Sequence, residues 1–164
     1  MHLTQLGRPS VFVRPATVQD VAFLTDVEVV TTRASGRALP EEERSFRAGL
    51  DGRTLAELRG EVEGSETRVI EIDGARAGRF WVTRALDHVE LCALQLLPAH
   101  QGRGIGTYLV NRFLDAARDA GLVARLRVER DNPRARSLYE RLGFVVVDGD
   151  DTHEHLEWRA FVRS

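Results

Sequence analysis

Gln101-Gly102-Arg103-Gly104-Ile105-Gly106 lies directly between an apolar, strand-like run and an amphipathic helix, and its reading decides the fold. Three alternating glycines let the backbone turn tightly with its N–H groups directed outward, free of Cβ interference. Those donors, backed by the positive end of a helix dipole, make a site for an anion such as a diphosphate. Arg103 can add a charge-assisted contact. Two other readings compete. One is a glycine-rich strand-to-helix turn that binds nothing. The other is a dinucleotide fingerprint, in which Gly102-x-Gly104-x-x should lead to glycine or alanine. Thr107 stands there instead, and no acidic residue follows at the usual interval.

Outward from the loop, the periodicities alternate. Upstream, His88 to Leu97 reads as a strand stopped by Pro98. It is the third of three: Val69-Ile70-Glu71-Ile72 and Arg79-Phe80-Trp81-Val82-Thr83 flank the hairpin signal Asp73-Gly74. Downstream, Ile105, Leu109, Phe113 and Ala117 recur every four residues, one buried stripe on a helix from Gly104 to Ala120 that Gly121 ends. Val123 to Val128 is a strand. Asn132-Pro133 opens a short helix as N-cap and first helical residue, with Leu138 and Leu142 apolar and Gly143 as terminator. Phe144 to Val147 and Glu154 to Phe161 form a closing antiparallel pair around an acidic turn.

Toward the N-terminus, residues 1–10 read as a loose leader. Val11 to Arg14 is a short strand, and Thr17 with Asp20 resembles a capping box opening a helix to about Thr31. A second helix follows Pro40, with Phe46 and Leu50 one turn apart. The order of strands and helices predicts a mixed α/β sheet, antiparallel in its middle, with parallel pairing imposed by helix crossovers.

Composition bounds the chemistry. The 164 residues suit one domain spanning 1–164. All 23 Lys+Arg residues are arginine. A Schiff base needs a lysine amine and a Walker loop needs its GK[ST] lysine, so pyridoxal-phosphate catalysis, lysine aldolase chemistry and P-loop hydrolysis are excluded. A net charge of -2 offers nucleic acid or an anionic membrane no attraction. Cys92, the one cysteine, can supply neither an internal disulfide nor a multi-cysteine zinc site. No signal peptide or membrane span is legible, and a soluble cytoplasmic protein is expected.

Two motifs carry a family resemblance: Leu94-Gln95-Leu96-Leu97-Pro98-Ala99-His100-Gln101-Gly102-Arg103-Gly104-Ile105-Gly106, and Asn132-Pro133-x-Ala135-x-x-Leu138-Tyr139-Glu140-x-x-Gly143-Phe144. Together they resemble the GNAT superfamily of N-acetyltransferases, over a core from Thr67 to Val147 that the strand-then-helices start extends to nearly the whole chain. The resemblance implies an α/β (α+β) fold. Its central sheet would be mixed and mostly antiparallel, of about six or seven strands flanked by about four helices, with a splayed strand pair at the cofactor site.

It also implies acetyl-CoA as cofactor, its diphosphate held by main-chain N–H groups of Gln101, Gly102, Arg103, Gly104, Ile105, Gly106 and Thr107. Leu94, Gln95 and Leu96 match the splayed strand that pairs with the pantetheine arm, with the Leu94 N–H aimed at the thioester carbonyl. Losing such a donor costs about 10²–10³ in rate in other acyl-transfer sites. By the same resemblance Asn132 contacts coenzyme A and the Tyr139 hydroxyl serves the departing thiolate. The other accounts are helix capping for Asn132 and a packing aromatic for Tyr139.

An ammonium cannot attack a thioester, so a proton must leave the amine. Glu90 is the candidate base, expected on the same strand face as Leu94, the position of the catalytic glutamate in the histone-acetylating branch. His88, a water chain, or a surface role for Glu90 are the alternatives. Cys92 could carry an acyl group, though a lone strand cysteine is usually a small buried hydrophobe. No metal is expected: His153 and His155 beside Asp150 and Asp151 read as a polar hairpin tip. Glu41-Glu42-Glu43 and Asp148-Gly149-Asp150-Asp151 either draw a cationic amine or are solvated charge runs. Trp81 and Phe46 line the acceptor pocket or fill the core.

The expected activity is transfer of an acetyl group to a primary amine, of a small molecule or a peptide, by direct attack in a ternary complex. The competing class is a coenzyme-A-binding sensor or regulatory module without turnover. An acid and a base together, Tyr139 and Glu90, favour the enzyme. Neither a nucleic-acid nor a membrane partner is expected, and the family resemblance admits a homodimer.

Overall fold

A computed structural model describes residues 8–37, 39 and 42–161; most of the expected leader, and Glu41, lie outside them. Among these residues seven strands form one sheet: β1 (Val11–Pro15), β2 (Ser65–Ile72), β3 (Ala75–Arg84), β4 (His88–Leu96), β5 (Val123–Glu129), β6 (Val145–Gly149) and β7 (His153–Trp158). Four α-helices accompany them: α1 (Val21–Ala34), α2 (Glu43–Leu58), α3 (Ile105–Ala120) and α4 (Pro133–Arg141). The sheet order is β1-β2-β3-β4-β5-β7-β6, antiparallel throughout except for β4 beside β5. This is the mixed sheet that the sequence predicts.

Local chemistry accounts for most boundaries. Asp73 and Gly74 both take positive φ, 51° and 82°, as a type I′ hairpin turn requires between β2 and β3. Thr17 and Asp20 form the capping box, which opens a single 3-10 turn (Val18–Asp20) leading into α1. Asp20 is buried, and its carboxylate accepts from Arg14 Nη1 and Nη2 at 2.7 and 2.9 Å. Helix α1 runs past the expected end at Thr31, because the Thr31 hydroxyl donates back to the Val27 carbonyl and leaves the ladder intact. The closing pair is shifted from its expected bounds, toward a tighter turn over residues 150–152.

The core lies between the sheet and α3. Ile105, Leu109, Phe113 and Ala117 are all buried there, with Phe80, Leu91, Leu126 and Leu156 from the strands. On the other face α1 and α2 cover β2 to β4, where Val69 meets Leu24. Here Leu50 is buried, while Phe46, one turn away, is only partly covered.

Two irregularities in β4 position everything that follows. Trp81 stands opposite Ala93 but Val82 opposite Leu91, so Cys92 is an extra residue in the ladder, a β-bulge. β5 pairs with β4 only from His88 to Leu91, although both strands continue beyond. The two diverge there into a gap.

Candidate active site

The direction of the β4 backbone in that gap follows from one hydrogen bond. Leu97 N–H donates to Ala77 C=O at 2.9 Å, toward β3. Backbone groups alternate sides along a strand, so those of Gln95 also face β3 and those of Leu94 and Leu96 face the gap. Among the described residues no strand takes them up, since pairing with β5 has ended. The Gln101 side chain donates to the Leu96 carbonyl at 2.9 Å and fixes the start of the glycine loop against the strand end. The Leu94 N–H stays directed into the gap.

Gly102 and Gly104 both adopt positive φ, 73° and 76°, the conformation in which a side chain would be strained. Among the described residues, no backbone or side-chain acceptor takes the N–H groups of Gly102 through Thr107. They open on a cavity of about 330 Å³ that α4 closes from the other side. Leu94, Leu96, Gln101, Gly102, Gly104, Ile105, Gly106, Thr107, Asn132 and Tyr139 all line it. A run of unpaired N–H groups at a helix start, open space beside them, and an unpaired strand edge match a ligand with a diphosphate and an extended, amide-bearing arm.

Arg103, Gln95 and Glu90 do not line this cavity. The Gln95 side chain points to the opposite face, 3.4 Å from Arg79 Nη1. Arg79 is buried there, held by Glu28 at 2.9 Å, and loss of water pushes its pKa below the usual arginine value. Trp81 lies on that face too, with the guanidiniums of Arg53 and Arg79 at 5.2 and 5.1 Å from its ring centre and its indole N–H donating to Ser65 Oγ.

Asn132 does cap α4: its side-chain oxygen accepts from the Ala135 N–H at 3.2 Å. The amide nitrogen is left to reach the cavity. Tyr139 packs edge-on against Phe144, and burial raises its hydroxyl pKa above the ordinary value. It is therefore a protonated donor throughout the neutral range.

The bulge changes one expectation. Glu90 does not share a face with the Leu94 side chain; it is opposite Thr83 and belongs with Ala93 and Gln95, on the side covered by α1 and α2. Its Oε1 lies 3.8 Å from Arg127 Nε. His88 is at the closed end of the strand pair, with Nδ1 2.7 Å from Asp87. Cys92 sits 3.6 Å from Thr83 Oγ1, and burial raises its pKa, which keeps the thiol protonated and a poor nucleophile.

Asp150 accepts the N–H groups of Thr152 and His153, each at 2.8 Å, and these hold its carboxyl well below the usual range. The acidic turn is thus built by hydrogen bonds, and among the described residues no group of three His, Cys, Asp or Glu is placed to hold a metal. Glu43 is paired with Arg33 and Arg47.

Five cavity residues carry no site role in the sequence analysis, Ala135 and Leu138 among them. His100 presents a buried Nδ1 with no partner among the described residues, and Arg134 and Arg141 line the wall from α4. The two arginines are seven apart, the same spacing that relates Asn132 to Tyr139, so the signal was present in the helix period.

Comparison with known proteins agrees with this geometry. Residues 37–144 match the Acetyltransferase (GNAT) family. The L-amino acid N-acyltransferase MnaT of Escherichia coli is 30% identical over 142 residues, covering 83% of this chain and 78% of that protein. The mycothiol acetyltransferase of Beutenbergia cavernae is 41% identical over 78 residues, 46% of this chain but only 26% of that protein's length. The PaiA N-acetyltransferase of Thermoplasma acidophilum, solved in complex with coenzyme A, superposes with a TM-score of 0.78 at 21% identity, covering 92% of this chain and 99% of that one. The chain belongs to the GNAT acetyltransferase family. It is an N-acetyltransferase that depends on acetyl-CoA. Among the described residues no helix is long and apolar enough to cross a membrane.

Proposed function

We propose that residues 1–164 act as one acetyltransferase domain that acetylates a primary amine by direct attack, without an acyl-enzyme. The observation that carries this reading is the cavity that Leu94 and Tyr139 share beside a run of unpaired N–H groups. Acetyl-CoA, when bound, supplies an acetyl group activated as a thioester. The N–H groups of Gly102 to Thr107, at the positive end of α3, hold the diphosphate. Leu94 N–H donates to the acyl oxygen as negative charge grows there. Glu90 takes the proton from the incoming amine on the α1/α2 face, and Tyr139 delivers a proton to the leaving sulfur from the cavity. The protonated thiol of Cys92 speaks against an acyl-cysteine. Similarity to the L-amino acid acyltransferase makes free amino acids the first acceptors to try.

The test is thermal denaturation with acetyl-CoA, coenzyme A, NAD and ATP at matched concentrations. A ligand at about 100 times its Kd stabilises the fold by about 2.7 kcal/mol, a shift of several degrees for a chain of this length. A shift with the two coenzyme A ligands alone, followed by amine-dependent thiol release, is expected. Thiol release that no amine accelerates would overturn the reading.

A further inference from the structure

A larger hollow, of about 490 Å³, lies on the other flank of α3 and shares no lining residue with the cofactor cavity. It exists because α3 packs over β4 and β5, leaving the α3-side face of β1 to β3 partly open. Its floor is apolar: Val13, Phe80, Val82 and Val89. Its mouth is basic. Arg68 is neutralised by a two-pronged pair with Glu66, at 2.9 Å for each bond. Arg84 and Arg112 are exposed at the same mouth and have no carboxylate partner among the described residues. Arg112 is held in place by Tyr108, donating to its hydroxyl at 3.2 Å with the guanidinium 5.8 Å from the ring centre.

We propose that this hollow is a second ligand site, for a small amphipathic anion: a carboxylate with an aliphatic body. The body covers the valine and phenylalanine floor, and the carboxylate lies between Arg84 and Arg112. The volume is that of a small-molecule site, and a concave apolar floor with a few charged groups at one end is how such sites are built. An apolar floor also strengthens the attraction, because the charges meet partly out of water. Glu66, the one carboxylate among the lining residues, is taken up by Arg68, so the charge left at the mouth is positive, which sets the sign of the occupant.

Octanoate is the probe, titrated calorimetrically into the full chain with and without saturating coenzyme A, with 1-octanol as the neutral match. The expected result is one octanoate per chain, bound about tenfold more tightly than octanol and unaffected by coenzyme A. Arg84→Gln with Arg112→Gln, both exposed, should bring octanoate down to the affinity of octanol. Ala116→Trp, on the exposed flank of α3, should fill the hollow and weaken both ligands. Equal affinity for octanoate and octanol, undiminished octanoate binding in the double variant, displacement by coenzyme A, or no binding up to about 10 mM would each overturn the proposal.

Discussion

Glu90 and Leu94, four residues apart on β4, send their side chains to opposite faces of the sheet. The extra residue at Cys92 inverts the alternation between them. In the proposed reaction this separation is useful. The acyl group is held in the plane of the sheet, in the gap beside the Leu94 N–H. An amine that arrives from the face of Glu90 attacks on one side, and the sulfur leaves on the side of Tyr139. Base and acid flank the reacting carbon instead of competing for one side of it.

Replacing Glu90 by Gln should lower turnover at neutral pH by about 10²-fold, the usual contribution of a positioned base. The deficit should shrink as pH rises, because more of the amine is then already neutral. Initial rates of thiol release across the pH range, at saturating acetyl-CoA, check this. A profile parallel to that of the wild type would move the proton to His88, beside Asp87, or to a water chain.

Tyr139→Phe retains the ring that packs on Phe144 and removes only the hydroxyl. Turnover should fall by about 10²-fold while coenzyme A affinity changes by less than about threefold. Burial holds this hydroxyl protonated above the ordinary tyrosine range, so its contribution should persist to high pH and be lost only beyond that range. Steady-state kinetics with a separate measurement of coenzyme A binding distinguish the two effects, and equal turnover would leave Tyr139 as a packing residue.

Much of this fold is legible in the sequence because the signals are local. Asp73-Gly74 needs only its own two residues to turn the chain, and the Ile105-to-Ala117 stripe needs only the helix period. The loop Gln101 to Gly106 is legible for the same reason. What is not legible depends on neighbours distant in sequence. The bulge leaves no mark in His88 to Leu97, where apolar side chains fall on both faces and no glycine flags the extra residue. The gap between β4 and β5 arises from where pairing stops, which no single strand specifies. The same holds for β7, inserted between β5 and β6 against chain order.

The buried Asp20 ties β1 to the start of α1 through Arg14, and it sets an acid limit on stability. Its carboxyl is held well below the ordinary range, first by the Arg14 guanidinium and then by the Thr17 N–H and hydroxyl. A carboxyl depressed by folding contributes stability that is present above the unfolded pKa and disappears as pH falls through the folded one. Asp20→Asn should therefore cost about 1–2 kcal/mol at neutral pH, because the Arg14 partner is partly exposed and keeps its pair with Glu71, and the two proteins should draw together in acid. Urea unfolding at pH 7 and near pH 2 checks both ends. A constant difference between them would mean that the carboxylate charge is not what the site uses.

Gly104 is the sharpest test of the loop. It precedes α3 with a φ of 76°, and a Cβ added there would meet nothing within 4 Å. Gly104→Ala should cost only the backbone strain, about 1 kcal/mol, and keep the thermal shift with coenzyme A. Gly104→Glu carries the same strain but sets a carboxylate at the mouth of the N–H groups, where the proposed function puts the diphosphate. Its midpoint without ligand should stay close to that of the alanine variant, and its shift with coenzyme A should vanish. The difference between the two variants isolates charge from conformation. Were both to bind coenzyme A equally well, the anion would have to be held elsewhere, with Arg134 and Arg141 on the opposite wall as the next residues to change.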